Sequence, residues 1–302
     1  MGSDLTLKKT NNIPVPVIPP DYPKDKVAES PYGIKTKPKP FFRQGYYTGD
    51  CGLLGGGGSL AFTTKKGAAI INDSVFQDSQ GNTHVTLQGV DEKYTFSPRV
   101  LSMSAGELSI GDDVMRAIEL AAKAHELKRL EQFDSLNLTG KDKDNLERLR
   151  KSPITAKYDI DDGCRLLTKN YVEKVTSFNY DIKANPSSSE DPYLLVPRDP
   201  FKNPDLVQAA EATNKKTADI LDAKVRDPDR FALSTSVIMP INMEKGDEGI
   251  HHGMIIVSVN KDSVFVANTW DTSIQYEVPR EVFMKKYIKI ASCDLDTPAK
   301  KN

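Results

Sequence analysis

The chain has 302 residues, enough for one large domain or two modest ones around a sizeable core. Lysine and arginine number 41 against 42 aspartates and glutamates, and the net charge of −1 gives no support for a nucleic-acid or anionic-membrane partner. No apolar run approaches the roughly eighteen residues that a membrane helix needs, and residues 1–7 lack the apolar stretch of a secretory signal. The expected location is therefore the cytoplasm, or export without a standard signal.

Residues 1–40 are rich in lysine and in proline (Pro14, Pro16, Pro19, Pro20, Pro23, Pro31, Pro38, Pro40). Such a segment lacks backbone donors and apolar mass, so it reads as an extended or disordered arm. Pro16-Val17-Ile18-Pro19 matches a PxxP ligand, as much proline-rich sequence does. A plain linker is the simplest reading; binding a partner or covering a cleft are its functional alternatives.

The stretch Gln44-Gly45-Tyr46-Tyr47-Thr48-Gly49-Asp50-Cys51-Gly52-Leu53-Leu54 comes next. Gly49-Asp50 gives a turn and Leu53-Leu54 begins an apolar run, which places Cys51 where a loop enters a helix. Unpaired N–H groups and the macrodipole at a helix N-terminus favour the thiolate. The same N–H groups can hold an oxyanion, with the Gln44 amide as a second donor. Four glycines, Gly55 to Gly58, follow at once. Each costs about 1 kcal/mol against alanine inside a helix, so the run either breaks the helix or lets a neighbouring backbone approach closely.

Between residues 68 and 101 short strands are expected, including Ala68-Ala69-Ile70-Ile71 and Val85-Thr86-Leu87 around a turn at Gly81-Asn82. Val114, Ala117, Ile118, Ala121, Ala122, Leu127 and Leu130 recur at helical spacing and predict a helix over 111–133, on which His125 is a packed or solvated side chain. A second, charged helix is expected over 142–151. The stretch 152–203 reads as turn-rich and irregular. Its Asp159-Ile160-Asp161-Asp162-Gly163 resembles part of a calcium loop, but the twelfth position is Asn170 rather than an acid, so a solvated turn is the better reading. Pro204-Asp205 opens a predicted helix over 204–225.

The last seventy or so residues predict four strands of an antiparallel sheet, in the runs 234–240, 253–259, 263–267 and 286–291. His252 stands at the start of the second of these, and strand alternation puts its neighbour His251 on the opposite face. Asn268 ends the next strand, where hairpin pairing brings it beside His252 to accept a ring N–H. Trp270 can cover that bond from water, and Asp271 is the reserve for Asn268. The expected architecture is α+β. An arm (1–40) precedes a mainly helical part with the nucleophile and an irregular insertion (41–230), an antiparallel β part with the histidine and asparagine (231–295) and a tail (296–302).

The three cysteines, Cys51, Cys164 and Cys293, are far apart and odd in number, which favours free thiols in a reducing compartment and removes any CxxC zinc site. A Cys164–Cys293 disulfide stays open. Neither a metal nor another cofactor is expected.

Gln44-Gly45-x-x-x-Gly49-Asp50-Cys51-x-Leu53-Leu54 resembles the calpain-type nucleophile motif, a Gln-Gly followed by Gly-Asp-Cys-Trp-Leu-Leu. His252 with its apolar strand, Asn268-Thr269-Trp270 and Tyr287-Ile288-Lys289-Ile290 are similar to the histidine and asparagine blocks of papain. The resemblance implies a papain-like fold with its active site between the two parts. It also implies Cys51 as nucleophile, His252 as general base and acid, Asn268 as orienter and Gln44 as oxyanion donor. Two departures stand out: Gly52 where calpains carry tryptophan, and the glycine run within the central helix. Calcium activation is not implied. The leading expectation is a cysteine peptidase acting on a protein or peptide substrate. A glutamine deamidase or transglutaminase on the same site, and a non-catalytic binding protein on a peptidase fold, are the alternatives.

Overall fold

At the centre lies helix α1 (Cys51–Thr63), and every residue from Gly52 to Phe62 is buried. A helix covered on all sides has no polar face, and its sequence accordingly shows no amphipathic stripe. The computed structural model describes residues 8–9, 34–35, 42–44, 50–104, 108–134, 143, 147, 158–184, 193–239 and 250–300.

The glycine run does not interrupt α1. Neighbouring backbones rest on Gly55 and Gly56, while Gly57 and Gly58 face side chains. A Cβ at Gly56 would stand 2.9 Å from the Ile160 carbonyl oxygen and 3.0 Å from the Cys164 nitrogen. One at Gly55 would stand 3.3 Å from the Met254 carbonyl oxygen. Gly163 answers from the other side: its Cβ would meet the Leu53 carbonyl oxygen at 2.3 Å. Gly52 belongs to the same set, since a Cβ there would lie 2.4 Å from the Tyr158 carbonyl oxygen. At this position the chain therefore has space for hydrogen alone.

Helix α2 (Lys65–Ser74) follows without a loop, and the Thr64 hydroxyl accepts the Gly67 N–H as its cap. This corrects the strand expected at Ala68-Ala69-Ile70-Ile71. A short apolar run fits either period, and here Gly67, Ile71 and Ser74 form the buried helical stripe. Strands β3 (Val75–Gln77), β4 (Thr83–Leu87) and β5 (Glu92–Phe96) form a small antiparallel sheet, edged by β2 (Ile34–Lys35), with Gly81 at positive φ in the expected turn. Helix α3 (Pro98–Met103) leads to α4 (Asp113–Asp134), the long helix predicted from periodicity. Of the charged helix expected over 142–151, all but Lys143 and Glu147 lies outside the described residues.

Helix α5 (Asp162–Leu167) begins inside the acidic cluster once compared with a calcium loop. Cations of the chain itself meet that cluster: Lys174 and Lys289 reach Asp159 at 3.0 and 2.6 Å, and Lys174 and Arg165 reach Asp161 at 2.8 and 2.7 Å. Burial pushes the Asp159 carboxyl up, but Lys289 and Lys174 outweigh it and hold the group well below the usual carboxylate range. A depressed carboxylate stabilises the fold above its unfolded value near 4 and loses that contribution as pH falls through its folded value. The melting temperature is therefore expected to drop on acidification below about pH 4. A flat profile there, in thermal scans by circular dichroism, would contradict the pairing.

The segment read as irregular supplies β6 (Asn170–Thr176), which pairs with β13 (Tyr287–Pro298) in the main sheet. A hairpin of β7 (Tyr180–Ala184) and β8 (Tyr193–Pro197) and helix α6 (Pro204–Arg226) come next. Asn203 caps α6 by accepting the Asp205 N–H, and buried Lys224 donates to the carbonyl of Thr63, the last residue of α1. The main sheet is completed by β9 (Phe231–Met239), β10 (Ile250–Val259), β11 (Ser263–Asn268), β12 (Asp271–Pro279) and β1 (Lys8–Lys9). Its order is β1-β12-β11-β10-β9-β13-β6, antiparallel throughout. Helix α7 (Arg280–Lys286) joins β12 to β13. Strand β12 was not expected from the sequence.

Apolar cores cover both faces of this sheet. Ile255 and Val257 of β10 join the cluster around α1 and α4, while Met254 and Ile256 join the one formed with Leu221 of α6 and Phe283 of α7. That is why β10 reads as a continuous apolar run rather than an alternating one. Among the described residues no helix is long and apolar enough to cross a membrane. The architecture is α+β with antiparallel sheets.

Candidate active site

Cys51 is the first residue of α1, and the strand bearing His252 passes directly over it. A Cβ at Gly253 would lie 2.6 Å from the Cys51 carbonyl oxygen, so only glycine lets β10 approach so closely. The N–H of Gly253 is directed at the Cys51 sulfur, as are those of Gly52 and of Cys51 itself. Burial outweighs these donors, and with the charge of Asp50 it pushes the thiol up to about 11. At neutral pH the isolated group is a thiol, and a base must take its proton.

His252 is 1% exposed and pairs across the sheet with Val237. Its Nε2 lies 2.7 Å from Asn268 Oδ1 and 3.2 Å from Thr269 Oγ1. Register explains the encounter: Met254 of β10 faces Asn268 of β11, and Asn268 is paired with Asp271 across the turn formed by Thr269 and Trp270. The Trp270 N–H donates to Asn268 Oδ1 at 2.9 Å, which fixes the amide. The Trp270 ring lies on the imidazole with centroids 4.1 Å apart, tilted by 36°, while its outer side stays 40% exposed. An amide oxygen can only accept, so Nε2 carries the proton in this bond. The nitrogen with a lone pair is then Nδ1.

Gln44 is tied into the same place. Its backbone N–H donates to the Thr269 carbonyl at 2.9 Å, its Oε1 lies 3.4 Å from Thr269 Oγ1 and its Nε2 donates to Asp50 Oδ1 at 3.1 Å. Thr269 Oγ1 donates its one proton to the Gly253 carbonyl at 2.8 Å. Residues 45–49 between Gln44 and Asp50 lie outside the described residues. Asp271, the reserve orienter, turns away: it pairs with Arg43 at 2.9 Å and accepts the Ser273 N–H. The backbone of His251 pairs with Ile238; its side chain lies outside the described residues. His125 hydrogen-bonds Glu92 at 2.9 Å, a structural contact.

The sequence reading missed three participants. Asp50 is the N-cap residue of α1, yet its side chain makes no capping bond. It turns instead to Gln44 and to Lys123 of α4, 2.8 Å away, with Asp50 0% and Lys123 2% exposed. Glu119, one turn before Lys123, is buried against Asp50 and accepts the Ser109 N–H at 2.9 Å. The signal was available: Glu119 and Lys123 interrupt the apolar stripe of α4 at a spacing of four.

Cys164 and Cys293 are buried free thiols in contact with each other, so the disulfide left open by the sequence is not formed. Among the described residues no group of three or more His, Cys, Asp or Glu is arranged to hold a metal ion. No protein-family model matches the chain, and no curated protein matches it.

Proposed function

We propose that the chain is a papain-like cysteine peptidase that cleaves protein or peptide substrates through an acyl-enzyme. One observation carries the reading: the His252–Asn268 bond is made from the strand whose next N–H meets the sulfur of Cys51 at a helix N-terminus. Nδ1 of His252 takes the thiol proton, and the sulfur attacks the scissile carbonyl carbon. The tetrahedral oxyanion is met by N–H donors at the start of α1 and by the Gln44 amide. Imidazolium then protonates the leaving amine, which departs as the carbonyl re-forms, leaving a thioester. Water, deprotonated by His252, attacks the thioester and releases the acid and the thiol.

A peptide library and an electrophilic thiol probe test this. Cleavage by the wild type but not by Cys51→Ala, with labelling of Cys51 ahead of Cys164 and Cys293, is the expected result. Absence of both cleavage and selective labelling overturns the proposal, whereas ammonia release without chain cleavage moves it to a glutamine deamidase or transglutaminase. Asn268→Ala removes a bond to an imidazole that becomes charged, about 1.5–3 kcal/mol, or roughly 10- to 10²-fold in kcat. Asn268→Asp keeps an acceptor and is expected to retain more turnover than alanine; equal losses would mean that Asn268 acts through packing alone.

A further inference from the structure

Behind the thiol lies a buried charged group that a peptidase core does not need for stability. Asp50 and Lys123 form a nearly water-free ion pair, with Glu119 against it. Replacing such a pair with apolar residues is often neutral or stabilising, so its place directly before the nucleophile calls for another account. Asp50 provides one, because its carboxylate is not spent on capping α1 and holds the Gln44 amide instead.

We infer that Lys123 and Glu119 are positioning residues for the thiol chemistry: through Asp50 they orient the Gln44 amide, and Lys123 offsets part of the Asp50 charge that Cys51 meets. This rests on the reading of Cys51 and His252 as a thiol site. An amide has two N–H groups, and the one held by Asp50 Oδ1 sets where the other points. The Gln44 backbone N–H is anchored on the Thr269 carbonyl, so the residue is held at its main chain and at its amide nitrogen. Asp50 Oδ2 is met by Lys123 Nζ at 2.8 Å, whereas among the described residues Glu119 Oε1 is buried without a hydrogen-bond partner and the Glu119 carboxyl lies against that of Asp50. A proton on Glu119, donated to Asp50, joins the two carboxyl groups. Burial, and after it the Asp50 charge, hold the Glu119 carboxyl well above the usual carboxylate range and favour that state. The cluster then carries one negative and one positive charge.

Asp50 is faced by Cys51 on α1, by Glu119 and Lys123 on α4 and by Gln44, and its charge also acts on Tyr158. Arg116, the next cation on α4, is committed to the Ser109 carbonyl and to Asp113. Lys123 is thus the cation that offsets Asp50 beside the sulfur.

The experiment reads kcat, KM and the pH midpoint of Cys51 alkylation by iodoacetamide. In Lys123→Met, kcat is expected to fall by up to about 10²-fold with KM nearly unchanged, the loss that follows from a misplaced oxyanion donor. The alkylation midpoint is expected to rise by about one pH unit, because the Asp50 charge is no longer offset. The charge-neutral double variant Asp50→Asn/Lys123→Met keeps an acceptor for Gln44; its midpoint is expected at or below that of the wild type, with part of the lost kcat restored. Glu119→Gln keeps a donor to Asp50 and is expected to recover most of what Glu119→Leu loses. A folded Lys123→Met with unchanged kcat and midpoint overturns the inference. So does a double variant whose midpoint lies above the wild type, which is the deciding measurement if Lys123→Met does not fold. Alkylation needs no substrate, so a wild type without turnover would count against the peptidase reading while the midpoints still judge the role of Lys123.

Discussion

Alanine at His252 is expected to lower kcat/KM by roughly 10²- to 10⁴-fold, the range of a lost general base. The loss should be large here because, among the described residues, the groups around the sulfur are backbone N–H donors and the Asp50 charge, none of which takes its proton. Burial and the Asp50 charge push the Cys51 thiol up to about 11, and the surrounding N–H groups do not bring it back. Without the imidazole, little thiolate forms at neutral pH, and the leaving amine has no proton donor. Alkylation of Cys51 should therefore lose its neutral-pH limb in His252→Ala and rise only at strongly alkaline pH. Groups that act in one step are not additive, so Cys51→Ala/His252→Ala is expected to be no less active than Cys51→Ala alone. His251 supplies the control. It stands one residue away on the same strand, its backbone paired with Ile238. Equal loss of turnover in His251→Ala would show that His252 acts by holding the strand rather than by carrying protons.

The β half of the site was legible because period and spacing agree there. His252 and Asn268 sit on adjacent strands at positions that antiparallel register brings side by side, and the turn at Thr269-Trp270 follows from the strand ends. Around Cys51 the signal was partial. Gly49-Asp50 and Leu53-Leu54 mark a helix start, but no local pattern says that α1 is buried on every side, so the sequence leaves open whether the glycine run breaks the helix or admits a neighbouring backbone. Its explanation is tertiary: Gly163 and the backbones at Ile160 and Met254 occupy the places where side chains would be. The same limit hid β6 and β12, since a strand's place in a sheet depends on partners over a hundred residues away or on a turn. Glu119 and Lys123 leave a signal as charges within the apolar stripe of α4, but their meaning depends on Asp50, the residue that they meet far along the chain.

The glycine contacts make a second, opposite pair of predictions within one helix. Gly57→Ala places its Cβ 3.2 Å from the end of the Met115 side chain, which can move aside. Helix propensity then favours alanine, and stability should be unchanged or up by as much as about 1 kcal/mol. Gly56→Ala adds the same methyl to the same helix, but against the backbone of Ile160, Gly163 and Cys164, which cannot yield without moving α5. A destabilisation of about 1–3 kcal/mol is expected, less the propensity gain. Gly163→Ala should exceed it, because its Cβ would stand 2.3 and 2.5 Å from the Leu53 oxygen and the Gly57 nitrogen. Urea unfolding followed by circular dichroism gives all three, and equal midpoints for Gly56→Ala and Gly57→Ala would rule out close backbone contact as the reason for the run. The contact also bears on the chemistry. Sliding α5 off α1 shifts the helix whose first residue is Cys51 while β10 and His252 stay in the sheet. Any Gly163→Ala protein that still folds is therefore expected to lose turnover beyond its loss of stability.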